Sequence, residues 1–240
     1  MTEIGAQRCQ QSPWQSSWFE DGSSRSSMSA WRGVEAQHVV STMRLVDNLA
    51  EQDVLEQILE GSKPAAPDHP PGQHYLLYTP FRYRPAQASR FRAAGTLGLW
   101  YGAKTVETAC AEVAYWRWRF VMDSAGLINH ELVTEHTFFQ AEVDGLAIAL
   151  TKKPWVESRD LWTAPNDYSY PQKLAAAASE AGIDWIKYES VRDPGGVCAV
   201  VLVPKALSMG AAAPRQTWHC KASRSYVMMR CEGRGLEWRF

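Results

Sequence analysis

The chain has 240 residues, 45 % of them hydrophobic, and a formal net charge of −1. That length holds one sizeable core, or one core plus an arm, and the near-neutral balance excludes a global attraction to nucleic acid or acidic membranes. No apolar run reaches the ~18 residues of a transmembrane helix, and the polar start of the chain lacks the apolar segment of a secretory signal.

The five cysteines (Cys9, Cys110, Cys198, Cys220, Cys231) are odd in number and without CxxC spacing. They read as reduced thiols of a cytoplasmic protein. His219-Cys220 with Cys231 fits no zinc spacing, so no metal is expected. Residues 1–35 are Ser-rich and weakly periodic, yet carry Trp14, Trp18 and Trp31. Such a segment is either an arm docked through its aromatic rings or largely disordered. The residues at 46, 49, 54, 55, 58 and 59 are apolar, which predicts a helix over 46–60 with Gly61 as C-cap. The Pro-rich linker 61–72 follows. The expected division is an N-terminal arm, 1–72, and a catalytic domain, 73–240.

Within that domain, HYLLYTPFRY (74–83) reads as a strand interrupted by Pro80. GLWYGA (98–103) reads as a short aromatic strand. Thr105 is the expected N-cap of a helix over 106–120. HTFFQAEVDG (136–145) alternates as a strand, with a turn at Asp144-Gly145 leading to LAIAL (146–150) at hairpin distance. A helix over 171–181 has Pro171 near its start and Gly182 as C-cap. Two strands, 183–190 and 196–204, flank the turn sequence VRDPG. The segment 217–231 predicts one more hairpin. The class is α+β.

Arg90, Tyr101 and Glu112 stand one strand, one turn and two helical turns apart. Thr108, Glu112, Tyr115 and Trp116 share a helix face that looks inward. A carboxylate on a largely apolar face needs a partner, or its pKa rises. Arg90 and Arg92 are the nearest cations in sequence, and a purely structural pairing of Glu112 with Arg90 stays open. In Trp116-Arg117-Trp118-Arg119, Trp116 is expected to point inward and the arginines to be solvated, which disfavours nucleic-acid binding.

PFRY (80–83), RFRAAG (90–95), LWYGAKTVETACAE (99–112) and YESVRDPGG (188–196) together resemble the RES domain. This family provides the toxin of RES–Xre toxin–antitoxin modules. The resemblance implies an ADP-ribosyltransferase-like core: a split, twisted β-sheet with flanking helices around an NAD cleft, here preceded by the N-terminal helical arm. It implies NAD as substrate, a cognate Xre-type antitoxin as partner, and no metal. Catalytic roles fall on Glu112, Arg90 and Tyr101, and NAD-binding roles on Arg82, Tyr83 and Ser190. The match departs from the family at Arg90, which sits in SRFR where many members have GRF followed by Asn. The implied function is a toxin that breaks the nicotinamide–ribose bond of NAD by phosphorolysis or hydrolysis and arrests growth. ADP-ribosylation of a host protein is the alternative, and a non-catalytic binding protein is a further one. A homodimer through the arm stays open.

Overall fold

The computed structural model describes residues 12–36, 40–43 and 45–240. Its elements are α1 (Ser17–Asp21), β1 (Ser23–Glu35), α2 (Val40–Met43), α3 (Leu49–Ser62), α4 (Tyr75–Tyr78), β2 (Trp100–Ala103), α5 (Val106–Met122), β3 (Leu132–Ala149), α6 (Arg159–Thr163), α7 (Ser169–Glu180), β4 (Trp185–Glu189), β5 (Val197–Val201), β6 (Leu207–Ser208), β7 (Arg215–Ala222), β8 (Tyr226–Cys231) and β9 (Arg234–Arg239). The strands make one mixed sheet in the order β1-β2-β5-β4-β3-β7-β8-β9, with β6 on β3. β1 pairs with β3 as well as β2, so β1, β2, β5, β4 and β3 return on themselves as a ring. The fold is α+β: a large twisted sheet with flanking helices.

Two apolar clusters follow from strand alternation. On β5, Ala199 and Val201 join Trp100, Phe139 and Trp185 in the inner cluster. Cys198 and Val200 face the other way, toward α5, α7, Trp155 and Trp162. Both faces of β5 are buried, which is why it reads as an unbroken apolar run. The helix ends follow local chemistry. Thr105 caps α5, its side chain accepting from Thr108 N. Past α7, Gly182 has φ +75°. Its N–H donates to Ser179 O while Ile183 N donates to Ala178 O, the paired bonds of a Schellman ending.

Four expectations are corrected. Residues 74–83 are not a strand but α4 and a 3-10 turn. Pro80 cannot donate to a ladder, and Leu77 and Phe81, four apart, fit a helical turn that buries both in the inner cluster. Asp144-Gly145 is no turn: β3 runs unbroken through it, paired to Ser27 and Ser26 of β1. Gly145 serves a close approach instead. A Cβ there would stand 2.7 Å from the Asp184 carboxylate, which accepts from Leu146 N at 2.9 Å. The helix over 46–60 begins later, capped by Asn48, and runs through Gly61 to Ser62. Trp116, expected inside, is 42 % exposed.

The N-terminal stretch is built into the body. β1 pairs with β3 along its whole length, so part of 1–72 lies in the sheet. Trp18 packs edge-on against Trp155 at 5.4 Å, and Trp14 lies 6.0 Å from Trp162. The strands 183–190 and 196–204 and the hairpin over 217–231 form as β4, β5, β7 and β8, and β9 adds a strand no periodicity announced.

If β1 is a packed strand, crowding it must cost stability. A Cβ on Gly33 would meet the buried Phe138 ring at 2.6 Å, whereas one on Gly61 would meet nothing within 4 Å. Gly33→Ala is expected to lose about 1–3 kcal/mol, lowering Tm by about 2–4 °C per kcal/mol. Gly61→Ala is expected to hold or raise it. Thermal denaturation of both variants is the check, and equal melting would contradict the packing of β1.

Candidate functional site

Glu112 lies one turn past Thr108 on α5 and faces the turn between β4 and β5. Ser190 Oγ donates to Glu112 Oε1 at 2.6 Å. The same oxygen accepts from the backbone N–H groups of Arg192 (3.1 Å) and Asp193 (3.0 Å). With both acceptor positions taken, the single hydroxyl proton is committed to the carboxylate. The turn is latched to α5 by a second contact. Thr108 Oγ1 donates to Asp193 Oδ2 at 2.6 Å and lies 2.8 Å from Thr105 Oγ1. Gly196 leaves room for this latch, since a Cβ there would stand 2.7 Å from Asp193 Oδ2.

Burial raises the Glu112 carboxyl above its ordinary value. The Ser190 bond and the charges of Arg192 and Arg90 oppose the rise, and Asp193 adds to it. The Arg90–Glu112 pairing that the sequence left open does not form among the described residues. Arg90, 9 % exposed, donates through Nη1 to Trp162 O (3.0 Å) and Ala164 O (2.8 Å). Its guanidinium sits 4.9 Å from the Tyr168 ring centre. Arg90 therefore fixes the segment after α6 against the cleft while placing positive charge near Glu112. Arg192 reaches the same segment, donating to Pro165 O at 3.1 Å, and lies 3.4 Å over the Tyr115 ring.

Tyr101, at the start of β2, has its hydroxyl 2.8 Å from Ser89 Oγ and accepts from Phe91 N at 3.3 Å. Burial pushes its phenol up to about 12, so it stays neutral. Tyr188, also buried, is raised well above the ordinary value of a phenol, chiefly by burial.

These side chains line one cleft with two arms. The first, about 200 Å³, is walled by Trp31, Arg32, Ala109, Val113 and Cys198. The second is lined by Arg90, Tyr115, Tyr168 and Arg192. Tyr101, Glu112, Trp116 and Tyr188 belong to both, so Glu112 sits where the arms meet.

Four expected site residues converge here: Glu112, Arg90, Tyr101 and Ser190. Arg82 and Tyr83 do not line either arm. Arg82 binds the linker instead, donating to Glu60 Oε1 at 3.1 Å and to Pro64 O. Tyr83 O accepts from Gly98 N. Sequence reading missed Arg192, although it stands in the quoted VRDPG turn. It also missed Arg32, whose strand gave no signal. Arg32 donates once, from Nη1 to Tyr101 O at 3.0 Å, and its Nε has no partner. Burial lowers its pKa to about 10, so it remains a cation at neutral pH, and it lines the same arm as Glu112 without an ion pair to it. Among those residues no group of three or more His, Cys, Asp or Glu could hold a metal, and no helix is long and apolar enough to cross a membrane.

The raised Glu112 pKa has a stability signature. The folded protein keeps this proton to higher pH than the unfolded chain. Stability tied to the group is therefore fullest below its unfolded value of 4.5 and falls as pH rises through the folded value. Glu112→Gln abolishes that loss. The variant is expected to melt above the parent at pH 7, with the gap closing below about pH 4. Melting curves across pH are the check; a gap independent of pH would contradict a raised carboxyl.

A family model described as the RES domain matches residues 65–223, and that span holds Arg82, Arg90, Tyr101, Glu112 and Ser190. Among solved structures, the chain is similar to one in the crystal structure of the M. tuberculosis MbcT–MbcA toxin–antitoxin complex. The identity is 13 % and the TM-score 0.49, over 84 % of this chain and 89 % of that one. No curated protein matches. With about two thirds of its length matched by the family model, the chain belongs to the RES domain family.

Proposed function

We propose that this chain is the toxin of a toxin–antitoxin module and consumes NAD by breaking the nicotinamide–ribose bond. The observation that carries the reading is the partly buried Glu112 carboxylate at the junction of a cleft whose lining includes several aromatic rings and three guanidinium groups.

Each part suits the chemistry. Breaking the bond between the ribose C1′ and the nicotinamide nitrogen sends the electron pair to the ring, which leaves neutral. Positive charge then builds on the ribose. A carboxylate fixed nearby stabilises that charge and accepts from ribose hydroxyls. Ser190 holds Glu112 in place through the only proton it has to give. The diphosphate needs cations, and Arg32, Arg90 and Arg192 offer planar donor forks with N–H groups to spare. Tyr101 and Tyr188 provide neutral walls for a flat ring. The bond to the incoming acceptor forms at C1′: phosphate gives a phosphorylated ADP-ribose, and water gives ADP-ribose and a proton. A side chain of a host protein is the alternative acceptor.

An active NAD consumer would arrest its own host. The reading therefore includes a cognate antitoxin of the Xre type that closes the cleft, and cytoplasmic residence, where NAD and the antitoxin are found.

The test is nicotinamide release from NAD by partner-free protein, with and without phosphate, with products identified by mass. Glu112→Gln is expected to lose about 10²–10³ in rate, and Ser190→Ala about tenfold or more. A folded, partner-free protein that releases no nicotinamide, even with cell extract as acceptor, would overturn the reading.

A further inference from the structure

The proposed reaction uses the inner part of the cleft and leaves one conspicuous side chain without a task. Trp116 follows Glu112 by one helical turn, so both project from the same face of α5. It lines both arms of the cleft, yet its side chain is 42 % exposed. A single exposed apolar residue is ordinary on a surface, but one that lines a cleft stands where a bound ligand would cover it. The aromatic neighbours of Trp116 on α5, Tyr115 and Trp118, are differently placed, and Phe120, one turn further on, is exposed but lines neither arm. Tyr115 is buried beneath Arg192. Trp118 is stacked on Phe240 at 4.8 Å and donates to Arg224 O. Trp116 touches Tyr115 edge-on, at 5.5 Å and 76°, which leaves a ring face free.

The dimensions say what could cover it. Pockets that swallow drug-sized ligands measure about 300–1,000 Å³. The larger arm here measures about 200 Å³, so a dinucleotide cannot lie wholly inside. The end that reacts must reach Glu112. The other end must emerge across the rim, where Trp116 and Arg192 both line the second arm. An exposed aromatic ring sharing an arm with a cation is suited to a flat base followed by a phosphate.

We infer that Trp116 is a binding residue that stacks on the adenine of the dinucleotide through the exposed part of its ring, at the open edge of the arms that hold the reacting end. This rests on the NAD-cleaving reading and gives that site its selectivity for a dinucleotide over a mononucleotide. Because the ring is exposed, its loss leaves the core intact.

The experiment compares wild type, Trp116→Ala and Trp116→Phe on NAD and on nicotinamide mononucleotide, which carries the same scissile bond but no adenosine. Base–aromatic stacking predicts a loss of about 10- to 100-fold in kcat/KM on NAD, carried by KM. Trp116→Phe is expected to recover most of it. The loss on NAD should exceed that on the mononucleotide at least about tenfold. Equal losses on both substrates, or none on NAD, would overturn the inference while leaving the cleavage reading intact. If wild type cleaves neither substrate, that reading fails by itself. ADP-ribose titrated calorimetrically into wild type and Trp116→Ala then decides: weaker binding by the variant supports stacking, and equal or absent binding overturns it.

Discussion

One hydrogen bond organises the site: Ser190 Oγ to Glu112 Oε1, 2.6 Å. It joins the only turn between β4 and β5 to the helix that follows β2, two units brought together by β5 pairing with both strands. A carboxylate held this deep is costly to ionise, and burial is the largest influence on Glu112. The surrounding structure offsets part of that cost without neutralising it. Ser190 gives a proton, and Arg90 and Arg192 give field at a distance. No cation among the described residues makes an ion pair with the carboxylate. An unpaired anion facing an open junction is a poor structural element and a suitable partner for a positive charge that appears only during reaction.

The same economy applies to the cations. Arg90 and Arg192 each spend donors on the backbone carbonyls of residues 162–165, which fixes that segment as one wall of the cleft. The wall is backed from behind: Trp14 and Trp18, before β1, pack on Trp162 and Trp155. β1 then crosses the sheet and delivers Arg32 and Trp31 to the first arm. Residues outside the matched family segment, which begins at 65, thus form part of the cleft that the family motifs line. The N-terminal stretch is a component of the site as well as of the sheet.

Much of this was legible from local chemistry. Thr105 as N-cap, Gly182 at the end of α7, and the paired strands around VRDPG each rest on a residue type with one good physical reason to be there. The misreadings share a cause: a tertiary contact outvoted the local signal. Asp144-Gly145 has the composition of a turn, but Gly145 is needed because Asp184 approaches it. Pro80 was read as an interruption in a strand, but Leu77 and Phe81 find their core at helical spacing. β1 carries five serines within thirteen residues, and its identity comes from β3, a hundred residues away, which no window can see. In the site, the motif residues Glu112, Arg90, Tyr101 and Ser190 come together as the family resemblance implied. Arg82 and Tyr83 stand elsewhere, because the linker that precedes them reaches back to bind Arg82. Trp116 fell on the inward face by helical counting, but that face opens onto the cleft at its level.

The account depends on Glu112 being a desolvated carboxylate whose pKa burial holds above its ordinary value. The most direct measurement is a ¹³C NMR titration of its side-chain carboxyl, assigned by the signal lost in Glu112→Gln. The account predicts a midpoint above the ordinary glutamate value of about 4.3, rising further in Ser190→Ala as the Ser190 hydrogen bond to the carboxylate is lost. A midpoint at or below that value in the native protein, or one insensitive to Ser190, would contradict it.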